Sequence, residues 1–185
     1  GMGEMRVGII GGGSIAKAHA IGLRSLRSYF GAEGYSPDVA VVADVNPEAA
    51  KQAAEAYGIG RWTTDWQAVL GDDEIDAVTI AAPNYEHEPI AVAAAAAGKH
   101  VLCEKPMAHT IESARRMVAA VERAGIVHSV HFNYRSIPAI RYARRLIGEG
   151  VLGEVVGFRG TFLQDWGLDV TVPRAWKFEK GRAGG

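Results

Sequence analysis

The stretch GIIGGGSIAKAHA, Gly8–Ala20, decides the fold. It fits Gly-x-Gly-x-x-Gly/Ala, with Gly11, Gly13 and Ala16 in the three fixed places. The first glycine permits a tight turn, and the second lets backbone approach a pyrophosphate. The small third residue lets the helix pack closely on the strand. The run MRVGII, Met5–Ile10, predicts a strand entering this turn. Ser14 can open a helix to about Phe30, with Ile15, Ala18, Ile21, Gly22 and Leu23 interleaved with Lys17 and Arg24. The first amides of a helix lack partners within it, so they face an anion. Gly11, Gly13, Ser14 and Ile15 are therefore candidate dinucleotide-binding residues.

Working outward, a second strand is predicted over Val39–Ala43, after a loop at Gly31–Pro37. Asp44 ends that strand, where a carboxylate can bond the ribose hydroxyls. It lies beyond the usual ~20-residue spacing, and the loop accounts for the excess. A carboxylate here disfavours a 2′-phosphate, and Val45 and Asn46 add no cation. This favours NAD, with NADP as the alternative; a turn-capping aspartate is the structural reading. Asn46-Pro47-Glu48 opens a helix that stops at Gly58. A short strand near Arg61 and Trp62 and a helix over Asp65–Leu70 come next. Strands are predicted at Ala77–Ala82, Val101–Glu104 and Val127–Phe132. Helices at His87–Ala97 and Ile111–Ala124 separate them.

Strict alternation with continuous apolar central strands predicts an α/β, Rossmann-type doubly wound parallel sheet. Right-handed crossovers put the carboxyl ends of its strands on one edge, where ligands bind. The pattern changes after Phe132. The reading is a dinucleotide-binding domain over 1–135, then the start of an α/β second domain over 136–185. That start comprises a helix from Ser136-Ile137-Pro138 to about Ile147 and a strand over Glu154–Leu163.

Composition narrows the function. At 48% hydrophobic and 22% charged residues, the 185-residue chain has the make-up of a folded globular protein. A net charge of -1 argues against a nucleic-acid partner. One cysteine cannot form an intrachain disulfide. No leader is evident, and the apolar run Ile90–Ala97 falls well short of the ~20 residues of a membrane span. A cytoplasmic protein away from the membrane is expected.

Three segments carry a more specific resemblance: GGGSIA, AAPNYEHEPIAVAAAAAGKHVLCEKPMA, and FNYRSIPAIRYARRLIGEGVLGEV. Together they resemble the glucose–fructose oxidoreductase/inositol dehydrogenase (Gfo/Idh/MocA) family over nearly the whole chain. The resemblance implies hydride transfer between NAD(P) and a sugar, sugar-derivative or cyclitol carbon. It also implies a second domain whose open sheet supports a homo-oligomer. The lysine of Glu-Lys-Pro, here Lys105, is implied beside the nicotinamide and the reacting hydroxyl. Ala82, Pro83, Asn84, His87 and Glu104 are implied to border the cofactor. Family members continue past a Gly-Gly run into Asp-x-Gly-x-x-His, whose histidine transfers the proton. That segment would start at Gly184-Gly185, and none of the six histidines replaces it by motif. The chain alone is expected to bind dinucleotide and to turn over poorly or not at all. The alternative is a non-catalytic dinucleotide-binding sensor or regulatory protein on the same fold.

The chemistry of Lys105 supports the enzyme reading. Alcohol oxidation loses a proton and a hydride, and a cation near the developing alkoxide lowers the cost. Pro106 disfavours the α region for Lys105 and so aims its ammonium. The competing reading is a Glu104–Lys105 surface pair worth under ~1 kcal/mol. His87 divides evenly between a cofactor or substrate contact and a polar residue of a helix's first turn. Asn133, Tyr134 and Arg135 end the sixth strand and are substrate candidates, with domain-linking hydrogen bonds as rival. Asp165 and Trp176, with Gln164, Trp166 and Lys177, resemble substrate-side positions suited to a polyol. His19, His100 and His109 are expected to be structural or exposed, and Cys103 a buried hydrophobe. His128 and His131 point to opposite faces of a strand, and no metal site is expected.

Overall fold

The computed structural model describes residues 5–30, 37–165, 168–169, 171 and 175–184. Six parallel strands run β1 (Arg6–Ile10), β2 (Asp38–Ala43), β3 (Trp62–Thr63), β4 (Ala77–Ile80), β5 (His100–Cys103) and β6 (His128–Val130). Their order is β3-β2-β1-β4-β5-β6. The chain winds one way through β1–β3 and the other way through β4–β6. The reversal lies between β1 and β4, at the edge where such sheets bind ligands.

Seven helices are described: α1 (Ser14–Phe30), α2 (Pro47–Tyr57), α3 (Trp66–Leu70), α4 (His87–Ala96), α5 (Ile111–Ala124), α6 (Pro138–Gly148) and α7 (Lys180–Ala183). Their boundaries have local causes. The Asn46 side chain accepts from the amides of Glu48 and Ala49 to start α2, and Gly58 ends it at φ 62°. Thr110 caps α5 through the Ser113 amide. Among the described residues, no helix is long and apolar enough to cross a membrane.

Two apolar clusters cover the sheet. Ile9, Val39 and Val42 pack with Ala16 and Ala20 of α1 and Ala53 and Ala54 of α2. Ile10, Val41, Val78, Ile80 and Cys103 pack with α3, α4 and α5 through Val69, Ile90 and Met117. Val39 and Val41 fall in different clusters although two residues apart. The register explains it: Val7 pairs with Val39 and Gly8 with Val41, so Ala40 is an extra residue that re-aims the strand.

Residues Gly1–His131 with Glu179–Gly185 form one compact unit, and Phe132–Phe178 another. The second unit departs from expectation. Glu154–Leu163 forms no strand, and Val156, Phe158 and Leu163 are about nine-tenths exposed. A ladder needs a neighbouring strand to take its amides and carbonyls, and none of the described residues supplies one. The expected loop Gly31–Pro37, except for Pro37, lies outside the described residues, as does Trp166.

Candidate dinucleotide site

The glycine loop leaves β1 at Gly11, whose φ is +108° and whose amide donates to the Ala43 carbonyl at 2.7 Å. A Cβ there would lie 2.6 Å from the carbonyl carbon and oxygen of Ala81. Glycine is therefore required both by conformation and by the close approach of β4. The Gly12 amide donates to Asp44 Oδ2 at 2.8 Å, and the Asn46 amide donates to Oδ1 at 2.9 Å. Asp44 is thereby held at the end of β2, beside the loop.

Gly13 differs from Gly11. A Cβ there would meet nothing within 4 Å, and Gly13, Ser14 and Ile15 are exposed. Ala16 is fully buried against the sheet. The first turn of α1 carries no acidic side chain to compete for its amides. A cleft of about 310 Å³ opens alongside, lined by Gly11, Asp44, Thr64, Trp66, Pro83 and Tyr85 among others. These features fit a dinucleotide: helix-start amides for its diphosphate, a fixed carboxylate for ribose hydroxyls, and a partly apolar cleft for a ring.

The ends of β4 and β5 form the other part of the edge. Ala82 and Pro83 line the cleft. Asn84 begins a 3-10 turn, and its side-chain Nδ2 donates to the Ala183 carbonyl at 2.7 Å. Arg182 stacks over the Tyr85 ring and donates to its hydroxyl at 2.6 Å. His87 is fully buried; Nε2 lies 2.9 Å from the Ala82 carbonyl and Nδ1 2.9 Å from that of Pro106. Its ring spans the two loops that carry Pro83 and Lys105. Lys105 itself is exposed at the edge.

Glu104 turns the other way. It is buried, and Oε1 lies 2.9 Å from His19 Nε2 and 2.7 Å from His131 Nδ1. Its Oε2 accepts the Lys105 amide at 3.0 Å. Burial pushes this carboxyl up, but the hydrogen bonds from His131, His19 and the Lys105 amide outweigh it and hold it below the ordinary range. Burial pushes His19 down, against the pull of Glu104. The Glu104–Lys105 pair is thus a buried carboxylate followed by an exposed ammonium. Burial, and secondarily the Glu104 charge, push the Cys103 thiol up to about 12.

The members of this group are far apart in sequence, and no motif joins them. His19 is buried beneath the site, and its Nδ1 lies 2.6 Å from Thr79 Oγ1. A signal existed: Ala16, His19, Ala20 and Leu23 follow the spacing of one helix face. His19, Glu104 and His131 also place three potential ligand atoms within 4.8 Å of one another. In the second unit, Asn133, Tyr134 and Arg135 lie exposed in a 3-10 turn, with Tyr134 edge-on to Phe162 at 5.8 Å. Asp165 is exposed and Trp176 half-buried.

Residues 5–132 match the family GFO_IDH_MocA, described as "Oxidoreductase family, NAD-binding Rossmann fold". The chain is 44% identical over 183 residues to a levoglucosan dehydrogenase of Pseudarthrobacter phenanthrenivorans, covering 99% of this chain and 47% of the relative. It is 34% identical to a 1,5-anhydro-D-fructose reductase of Ensifer adhaerens, covering 97% of this chain and 51% of the relative. A structure of levoglucosan dehydrogenase in complex with NADH and levoglucosan superposes with a TM-score of 0.95. It is 44% identical, and the match covers 99% of this chain and 50% of that one. The chain spans about half the length of the curated relatives it matches.

Proposed function

Because the chain belongs to the Gfo/Idh/MocA oxidoreductase family, with its NAD-binding Rossmann fold, we propose that it serves NAD-dependent oxidation of a sugar or anhydrosugar hydroxyl. The observation that carries this reading is the shared edge. The open Gly13 turn, the fixed Asp44 carboxylate and the exposed Lys105 stand at the carboxyl ends of β1, β2 and β5. The relatives named for levoglucosan and 1,5-anhydro-D-fructose make an anhydrosugar the first substrate class to test.

NAD, when bound, supplies the acceptor for the hydride. The chain's own residues bind and orient. The amides of Gly13 and Ser14 hold the diphosphate, and Asp44 accepts from the ribose hydroxyls. The Lys105 ammonium donates a hydrogen bond to the substrate oxygen and stabilises the negative charge that grows there as the hydroxyl proton passes to a base of the intact protein. The backbones on either side of the site are tied through His87. Asn133, Tyr134, Arg135, Asp165 and Trp176 are proposed to contact the polyol, and the homo-oligomer is proposed to form through the second domain.

The test is steady-state NAD⁺ reduction by the intact protein with levoglucosan, other anhydrosugars and inositols, each repeated with NADP⁺. The expected result is turnover with at least one of these and preference for NAD⁺. NADH binding without turnover on any of them would instead favour a dinucleotide-binding sensor.

A further inference from the structure

The group of side chains under Lys105 has a definite hydrogen-bond direction. A carboxylate can only accept. Glu104 Oε1 faces two imidazole nitrogens, so His19 Nε2 and His131 Nδ1 are the protonated positions. Burial favours the neutral ring of His19, in which Nδ1 carries the lone pair and the Thr79 hydroxyl, 2.6 Å away, donates to it. Proton donation therefore runs from Thr79 to His19 and from His19 to Glu104, with His131 donating from the other side. The two rings sit edge to face, 4.7 Å between centroids at 60°. The remaining carboxylate oxygen accepts the Lys105 amide.

The members come from four elements: His19 from α1, Thr79 from β4, Glu104 from the end of β5, and His131 just past β6. We propose that Thr79, His19 and His131 are positioning residues: they pin the Glu104 carboxylate, which pins the backbone of Lys105. The pin ties the helix behind the glycine loop to the residue at the reacting end of the edge. Its value for catalysis rests on the proposed role of Lys105, whereas its geometry does not.

Ring geometry supplies the variants. An asparagine amide can stand where His Nδ1 stands, and a glutamine amide where Nε2 stands. His131→Asn and His19→Gln therefore keep a donor to Glu104, and His131→Leu and His19→Leu remove it. His131 is half-buried, so its pair of variants is testable even where His19→Leu fails to fold. The first readout is hydrogen exchange at the Lys105 amide by NMR of the 185-residue chain. His131→Leu should speed that exchange about tenfold, the scale of a charge-assisted hydrogen bond, and His131→Asn should restore it to within about threefold. The second readout is turnover by the intact protein. His131→Leu should lower kcat roughly tenfold with KM little changed, because displacing a reacting group costs rate more than binding. His131→Asn should recover most of that loss.

Unchanged Lys105 exchange in both leucine variants would overturn the pin. So would equal slowing by His131→Leu and His131→Asn, since a merely structural role predicts no rescue by a retained donor. If exchange responds as described but no sugar or anhydrosugar is oxidised, the dehydrogenase reading fails and the pin stands.

Discussion

Two alanine substitutions two residues apart should have opposite consequences. In Gly11→Ala, the new methyl would sit at φ +108° and 2.6 Å from the Ala81 carbonyl. Neither contact is with a flexible side chain. The strands cannot part freely, because the Gly11 amide is bonded to Ala43 and the Ala81 amide to Ile10, each at 2.7 Å. Backbone strain costs about 1–2 kcal/mol, and overpacking adds about 1–3 kcal/mol. A loss of about 2–5 kcal/mol lowers Tm by roughly 5–20 °C for a chain of this size. In Gly13→Ala, the methyl enters open space with no positive φ to oppose it. Tm should stay within about 2 °C, the spread of an ordinary surface change. The same methyl stands where backbone must approach a diphosphate, so NADH affinity should fall at least about tenfold. Thermal melts followed by circular dichroism and NADH fluorescence titrations measure both. A wild-type melt for Gly11→Ala would refute the close approach of β4. Wild-type NADH affinity in Gly13→Ala would refute placement of the diphosphate on this loop.

Other expectations follow from single contacts. Lys105→Ala in the intact protein should lower kcat by at least about 10²-fold, with NADH affinity by titration nearly unchanged. Asp44→Ala removes the acceptor of the Gly12 and Asn46 amides; NADH binding should weaken roughly tenfold, and preference over NADPH should narrow in parallel titrations. Arg116 holds the Glu88 carboxyl down to about 2, joining α4 to α5. The folded value lies below the ordinary 4.5, so this stability is full above about pH 4.5 and is lost as pH falls through about 2. Arg116→Leu should cost about 0.5–1 kcal/mol in urea at neutral pH, and the difference from wild type should vanish near pH 2. Cys103, buried and pushed up to about 12, should resist a disulfide exchange reagent at neutral pH until the chain is unfolded.

Local chemistry was the legible part of this molecule. Asn46-Pro47 and Gly58 bound α2 because capping needs only neighbours in sequence. The glycine turn and Ala16 could be placed for the same reason. What the sequence did not disclose depends on distance or on partners. Glu104 reads as half of a surface pair until His19, 85 residues away, is seen to accompany it. Asn84 meets Ala183 across 99 residues, so the docking of α7 on the Asn84 turn has no local signature. Glu154–Leu163 has the residues of a strand, yet strand formation is decided by a neighbour. Alternation puts Lys105 at the carboxyl edge, because the direction of every parallel strand follows once crossovers are right-handed; its place beside the nicotinamide rests on the family resemblance.

The most direct test is the structure of the NADH complex, read at two points. The diphosphate should lie on the amides of Gly13 and Ser14, and the nicotinamide within reach of the Lys105 ammonium. A coenzyme bound away from this loop, or a Lys105 side chain directed away from the nicotinamide, would refute both assignments.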